Sequence, residues 1–225
     1  MPCVLLLCLA LVGASTPSAA AESGTTAHAP VAALVGRIEG RIVIRERPAR
    51  RMPNRYPGGA AGAARPVQRI PAVVYLEGRL PGGGARAAAE MAQQDTSFTP
   101  GVLVVPVGTE VRFPNRDPFF HNVFSYSTTQ RFDLGRYPQG ESKSVRFDEP
   151  GVVKVYCEVH ESMRAAVVVT ENPHHVVVGA DGTFVLDGVP AGVHRLVVWH
   201  VDEGTATAEV RVTDGGRTYV ELTLG

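Results

Sequence analysis

Apolar residues alternate with polar ones along most of this chain, in short runs rich in valine, phenylalanine and tyrosine. Glycine, proline, aspartate and asparagine separate these runs at regular intervals, a pattern typical of β-sandwiches and barrels. The pattern therefore predicts an all-β protein. The predicted strands span residues 35–45, 72–77, 101–105, 110–113, 121–126, 143–147, 152–157, 164–170, 176–179, 183–186, 194–201, 206–212 and 218–224.

Residues 85–94 are the one stretch whose alanine content favours a helix. The stretch is short and lacks good capping residues, so we interpret it as strand. Joints at residues 81–84 and 171–174 bracket the middle of the chain, which holds every candidate metal ligand. The joints thus mark the bounds of a central segment that carries the candidate chemistry.

Residues 47–70 are rich in arginine, proline, glycine and alanine. A structureless loop of this length is unusual inside a compact domain, so we interpret the segment as a mobile surface excursion. Its arginines are interleaved with small residues and proline rather than with aromatic residues, which favours a solvated arm. We expect no nucleic-acid partner.

The first 21 residues are typical of a secretory signal. An apolar run from Val4 to Val12 leads to an Ala-x-Ala cleavage pattern that ends at Ala21. The run is too short to span a bilayer, although an uncleaved anchor is the alternative. We expect cleavage near Ala21, a mature chain without a transmembrane segment, and a periplasmic or secreted protein.

Cysteine usage supports a special role for one thiol. Cys3 and Cys8 lie in the predicted signal, so cleavage would leave Cys157 alone and without an internal disulfide. Coordination of a metal would give an exported protein a reason to keep one thiolate. The alternative is that Cys157 is a buried apolar residue, the usual fate of a free cysteine.

Cys157 begins a Cys-x-x-His-x-x-Met sequence that continues to His160 and Met163, and His121 is a second candidate imidazole upstream. Two imidazoles and one thiolate, with a weak axial thioether, are the ligands of an electron-transfer copper site. Because side chains alternate along a strand, Cys157 should face the core, opposite the solvent-exposed Lys154. A tight loop then aims the cysteine, histidine and methionine at one point, and strand pairing in a closed sandwich would bring His121 there.

The middle of the chain resembles the cupredoxins, which include plastocyanin, pseudoazurin and amicyanin. The motifs that carry the resemblance are residues 98–100, 105–109, 113–117, 121–123 and 155–157, and the loop spacing after the cysteine is similar to that of amicyanin. The resemblance implies a cupredoxin domain over residues 85–170 with one mononuclear type 1 copper. It implies the copper ligands His121, Cys157, His160 and Met163, and a role for Asn122 in tying the ligand strand to the cysteine loop. We interpret Asn115 and Asp117 as turn caps before that strand.

The flanking segments resemble a second family, the carboxypeptidase regulatory-like β-sandwiches. Residues 178–184, 186–192 and 196–200 carry this resemblance, and residues 36–40 and 72–76 could supply its earlier strands. It implies a small sandwich built from residues 34–80 and 172–225, with the Greek-key cupredoxin sandwich inserted in it or flanked by it. Exported proteins described as methylamine-utilisation-like or plastocyanin-like share this layout.

The resemblance implies an exported blue copper protein that carries one electron between redox partners, such as a c-type cytochrome or a periplasmic dehydrogenase. Copper storage, delivery or sensing is one alternative, and a structural or adhesive sandwich with a vestigial copper site is another. A hydrolase built on Cys157 and His160 would need a residue to orient the histidine, and the sequence shows none. We therefore expect a protein that is not an enzyme.

Glu158 and Glu161 depart from the resemblance by placing negative charge within the candidate copper loop. Negative charge favours the more positive oxidation state of a metal, so the charge should lower the reduction potential. Replacing both residues by glutamine is expected to raise the potential of the copper-loaded protein, measured by redox titration. A potential that does not change would contradict this hypothesis.

Overall fold

Strands account for all the regular structure in the parts of the chain that the structure, a computed structural model, describes. These parts are residues 34–45, 71–82 and 88–225, and within them there are seventeen strands and no helix. This confirms the predicted all-β class. The predicted signal (residues 1–21) and arginine-rich excursion (residues 47–70) lie outside the described residues.

The strands are, in chain order, β1 (Val35–Ile44), β2 (Val73–Leu76), β3 (Ala89–Glu90), β4 (Ala92–Gln94), β5 (Ser97–Thr99), β6 (Val102–Pro106), β7 (Thr109–Pro114), β8 (His121–Tyr126), β9 (Arg131–Tyr137), β10 (Ser142–Phe147), β11 (Gly151–Tyr156), β12 (Arg164–Thr170), β13 (His175–Val177), β14 (Thr183–Pro190), β15 (Gly192–His200), β16 (Gly204–Val212) and β17 (Arg217–Leu224). Across the described ranges, no helix is available that could cross a membrane.

Residues 88–170 form a sandwich around one apolar core. One sheet has the strand order β6-β12-β11-β8-β9, a second has the order β10-β7-β3, and β4 pairs with β5. Side chains from both sheets enter the same buried cluster, including Phe113 from β7, Phe147 from β10 and Val155 from β11. Cys157 and Met163 belong to this cluster, so the candidate copper loop is attached directly to the core.

The burial of β11 and β12 follows from their sequences. In β11, Val153 and Val155 are buried and Lys154 between them is exposed, as the alternation predicts. In β12, by contrast, every residue after Arg164 is buried, which matches its uninterrupted apolar run. The reason is that Val167 faces the sandwich core while Val168 faces a second apolar surface.

The segments on either side of residues 88–170 pair with each other in two further sheets. Their strand orders are β14-β1-β17 and β13-β2-β15-β16. In the first of these, β1 runs antiparallel to β14 and parallel to β17. A separate apolar core lies between the two sheets and contains Ile38, Leu76, Leu186 and Leu196. The predicted second β-structure is thus present, and its membership of the carboxypeptidase regulatory-like family stays a prediction.

A third buried cluster joins the two groups of strands. It consists of Val73, Val102, Val104, Ala166, Val168 and Trp199. Beside it, Arg164 donates two hydrogen bonds to the Asp202 carboxylate, at 2.6 and 3.1 Å. Asn172, in the joint after β12, donates to the carbonyl oxygens of Leu76 and Gly78. Arg164, which follows Met163 in sequence, is therefore anchored to the flanking segments through Asp202.

Trp199 has the largest side chain in this third cluster and is only 5% exposed. Replacing it by alanine should leave a cavity and lower the free energy of unfolding by about 3–5 kcal/mol. The measurement is urea unfolding followed by circular dichroism. Trp199→Phe is the matched control and should lose less, because it keeps a ring. A loss below about 1 kcal/mol for alanine would show that this cluster is not tightly packed.

Candidate metal centre

The candidate ligands lie where two neighbouring strands of the five-stranded sheet end. His121 is the first residue of β8, and Cys157 follows the last residue of the antiparallel β11. The loop from β11 to β12 then carries His160 and Met163. Because antiparallel neighbours place the start of one strand beside the end of the other, two residues 36 positions apart in sequence come together.

Three side chains converge at this point. The Cys157 sulfur lies 3.7 Å from Nδ1 of His121, and the two Nδ1 atoms of His121 and His160 are 3.1 Å apart. One ligand atom from each residue lies within 4.8 Å of the others. His121 is fully buried, Cys157 is 4% exposed and His160 is half-buried. The site is therefore closed on the side of His121 and partly open on the side of His160.

The loop that carries Cys157, His160 and Met163 is held by its own backbone. The Cys157 N–H donates to the Met163 carbonyl at 3.2 Å, and the Met163 N–H donates to the His160 carbonyl at 2.9 Å. Met163 is fully buried in the same cluster as Cys157. These bonds define the conformation of the loop, so little chain entropy remains to be lost when a ligand binds.

Asn122 connects the two ligand-bearing segments. Its side chain is 2% exposed, and its Oδ1 accepts a hydrogen bond from the Glu158 N–H at 2.6 Å. Asn122 follows His121 and Glu158 follows Cys157, so this bond holds the two candidate ligands in register. The contact links the strand and the cysteine loop, as the cupredoxin resemblance implies for this residue.

Asp117 has a contact that the sequence analysis missed. Its carboxylate lies 2.9 Å from Nε2 of His121 and also accepts backbone hydrogen bonds from Asp95 and Thr96. Of the two predicted turn caps, Asn115 makes the capping contact within the turn, since its Oδ1 accepts the Asp117 N–H. A carboxylate four residues before a candidate ligand histidine was the available signal, but spacing alone does not show which side chains face each other.

The aromatic ring of Phe119 contacts both histidines. Its centroid lies 5.1 Å from that of His121 and 5.4 Å from that of His160. Phe119 is 41% exposed. Phe120, which follows it in sequence, and Val159, which precedes His160, are also exposed. We call these three residues the apolar rim. Glu158, at the start of the loop, forms an exposed ion pair with Arg136.

The donor atoms fit a single metal ion. A zinc ion, for comparison, lies about 2.0 Å from imidazole nitrogen and about 2.3 Å from thiolate sulfur. At trigonal to tetrahedral angles, these bond lengths put two nitrogens about 3.3–3.5 Å apart and a nitrogen and a sulfur about 3.5–3.7 Å apart. The observed distances of 3.1 and 3.7 Å are close to these values. Imidazole and thiolate together suit copper or zinc, so the geometry alone leaves both open.

Comparison with known families favours copper. Residues 85–170 match the model of a family described as copper binding proteins of the plastocyanin/azurin family. The chain contains a cupredoxin domain. The flanking strands β1, β2 and β13–β17 lie outside the match. A search of curated proteins found no match.

Solved structures of three kinds are similar to part of this chain. A purple cupredoxin from Nitrosopumilus maritimus is 28% identical over 36% of this chain and 99% of its own, with a TM-score of 0.34. A reduced Cu(I) form of an amicyanin mutant is 23% identical over 43% of this chain and 97% of its own, with a TM-score of 0.35.

The third is a copper-containing nitrite reductase from Thermus scotoductus SA-01, which is 27% identical over 41% of this chain, with a TM-score of 0.36. This chain spans only 25% of the reductase. Because these TM-scores are low, the assignment of the cupredoxin domain rests on the family match over residues 85–170 and on the sequence motifs.

Proposed function

We propose that this protein is a one-electron carrier whose cupredoxin domain holds a single type 1 copper through His121, Cys157, His160 and Met163. The observation that carries the proposal is the convergence of one sulfur and two imidazole nitrogens within 4.8 Å at the ends of two paired strands. Copper bound there would supply one electron by cycling between Cu(I) and Cu(II). The proposal assigns no catalytic residue.

The residues around the site support this role because they limit rearrangement. Asn122 fixes the start of the loop and two backbone hydrogen bonds close it. His121 is fully buried and Cys157 nearly so, which shields the thiol from oxidants in solution. A rigid donor set whose geometry is intermediate between those preferred by Cu(I) and by Cu(II) favours rapid electron transfer over ligand exchange.

His160 offers the route for electrons to and from a partner. It is the half-buried member of the cluster, and its ring contacts Phe119 in the apolar rim. A small apolar surface of this kind suits the weak, short-lived contacts of redox proteins. The proposed partners are a c-type cytochrome and a periplasmic dehydrogenase. Export of the chain is part of the proposal and is supported by the signal-like residues 1–21.

Absorption and electron paramagnetic resonance spectra of the copper-loaded protein test the proposal. One equivalent of Cu(II) is expected to give an intense visible thiolate-to-copper band and a type 1 resonance, and both should vanish on one-electron reduction. Copper that binds without these signatures would favour storage, delivery or sensing of copper instead.

Cys157→Ser is expected to abolish the visible band and most of the stabilisation that copper confers, because metal binding is linked to folding. Thermal unfolding with and without copper measures the second effect. Circular dichroism of the metal-free variant is the control for folding. A serine variant that keeps the intense band would contradict the assignment of Cys157 as the thiolate ligand.

Met163→Leu is nearly volume-conserving, so the core should tolerate it. The variant is expected to keep copper and to change the reduction potential, because the axial ligand tunes the potential of such sites. Met91→Leu is the matched control, since Met91 is fully buried in the same core but outside the loop. Loss of the metal from the Met163 variant would show that the axial assignment is wrong.

A further inference from the structure

The Asp117 carboxylate is buried at the back of the candidate metal centre and lies within hydrogen-bond distance of three nitrogen atoms. Asp117 is 5% exposed. Its Oδ1 accepts the Asp95 N–H at 2.7 Å, and its Oδ2 accepts the Thr96 N–H at 2.9 Å and lies 2.9 Å from Nε2 of His121. A charge at this depth is costly unless it is hydrogen-bonded, and here both oxygens are.

The two backbone donors come from an unusual turn. Asp95 and Thr96 connect β4 to β5 as a two-residue hairpin loop, and both have φ of 54°. This left-handed conformation is disfavoured for residues other than glycine, above all for a β-branched one such as threonine. The hairpin is fixed to the segment before β8, because the Arg116 N–H donates to the Gln93 carbonyl at 2.9 Å. The strained turn thus directs two adjacent N–H groups at one carboxylate.

The hydrogen bonds around Asp117 make Nε2 of His121 the donor in their contact. Each carboxylate oxygen accepts a backbone N–H, Oδ1 from Asp95 and Oδ2 from Thr96. Because both oxygens act as acceptors, the 2.9 Å contact between Oδ2 and Nε2 of His121 is a hydrogen bond in which Nε2–H donates. A neutral imidazole that donates from Nε2 has its lone pair on Nδ1. That Nδ1 is the atom that faces Cys157 and His160.

We propose that Asp117 is a positioning residue of the metal centre: its carboxylate fixes His121 as the Nε2–H tautomer and aims Nδ1 at the metal. The assignment of the metal as copper rests on the function proposed above. A carboxylate that accepts a hydrogen bond from a ligand histidine raises the basicity of that ligand. Asp117 therefore stabilises Cu(II) relative to Cu(I) and lowers the reduction potential.

Asp117→Asn is the informative substitution because it keeps the size of the side chain. The amide has a single acceptor oxygen, so its NH2 group must face either a backbone N–H of the hairpin or Nε2–H of His121. Removing a hydrogen-bond partner of a metal-ligand side chain typically weakens metal binding about 10–100-fold. We expect weaker copper binding by about this factor, measured by competition with a chelator, and a more positive reduction potential.

The tautomer of His121 is measured by long-range 1H–15N correlation spectra of the metal-free protein. The wild type is expected to show the Nε2–H tautomer, and an Nδ1–H tautomer would overturn the proposal even if the asparagine variant failed to fold. In a folded Asp117→Asn variant, a tautomer mixture is expected. An unchanged tautomer together with unchanged affinity and potential would also overturn it.

Asp148→Asn is the matched control, since it makes the same change at an exposed aspartate paired with Arg146. It is expected to leave the tautomer and the copper affinity unchanged. The spectra of the metal-free protein need no copper, so the positioning role is tested separately from the function. A wild-type protein that does not bind copper would end the proposed function, while the tautomer would still decide the role of Asp117.

Discussion

The pairing of β8 with β11 is the constraint on which the candidate metal centre depends. It brings the start of one strand against the end of the other, and so places Nδ1 of His121 3.7 Å from the sulfur of Cys157. Neither residue could reach the other through the local chain. The core of the sandwich holds this pairing, because side chains of both strands enter one buried cluster. The metal centre and the core therefore depend on each other, because the apolar packing that stabilises the sheet also sets the positions of the donor atoms.

Buried polar groups complete the frame around the donors. Asn122 ties the histidine strand to the cysteine loop, and Asp117 holds the far side of the His121 ring. On the other side of β12, the third apolar cluster and the Arg164–Asp202 pair attach the flanking sheets. The cupredoxin domain thus packs on the flanking strands through the strand that follows Met163.

The sequence predicted the features that depend on local pattern. Alternation predicted the exposure of Lys154 between buried valines, and the spacing of Cys157, His160 and Met163 predicted a shared loop. Strand β9 (Arg131–Tyr137) was missed because its alternation is interrupted by Gly135 and carries charged residues on an exposed face. The strands β3–β5 have only two or three residues each, too few for a periodic signal. The contacts of Asp117 depend on a hairpin distant in sequence, so no local pattern could predict them.

The most direct test of this account is the X-ray absorption fine structure of the copper-loaded protein at the copper edge. The account predicts one copper per chain, with one short copper–sulfur distance and two copper–nitrogen distances in the first coordination shell. A first shell of nitrogen and oxygen alone, without the short sulfur contact, would show that Cys157 and the two histidines do not share one metal ion.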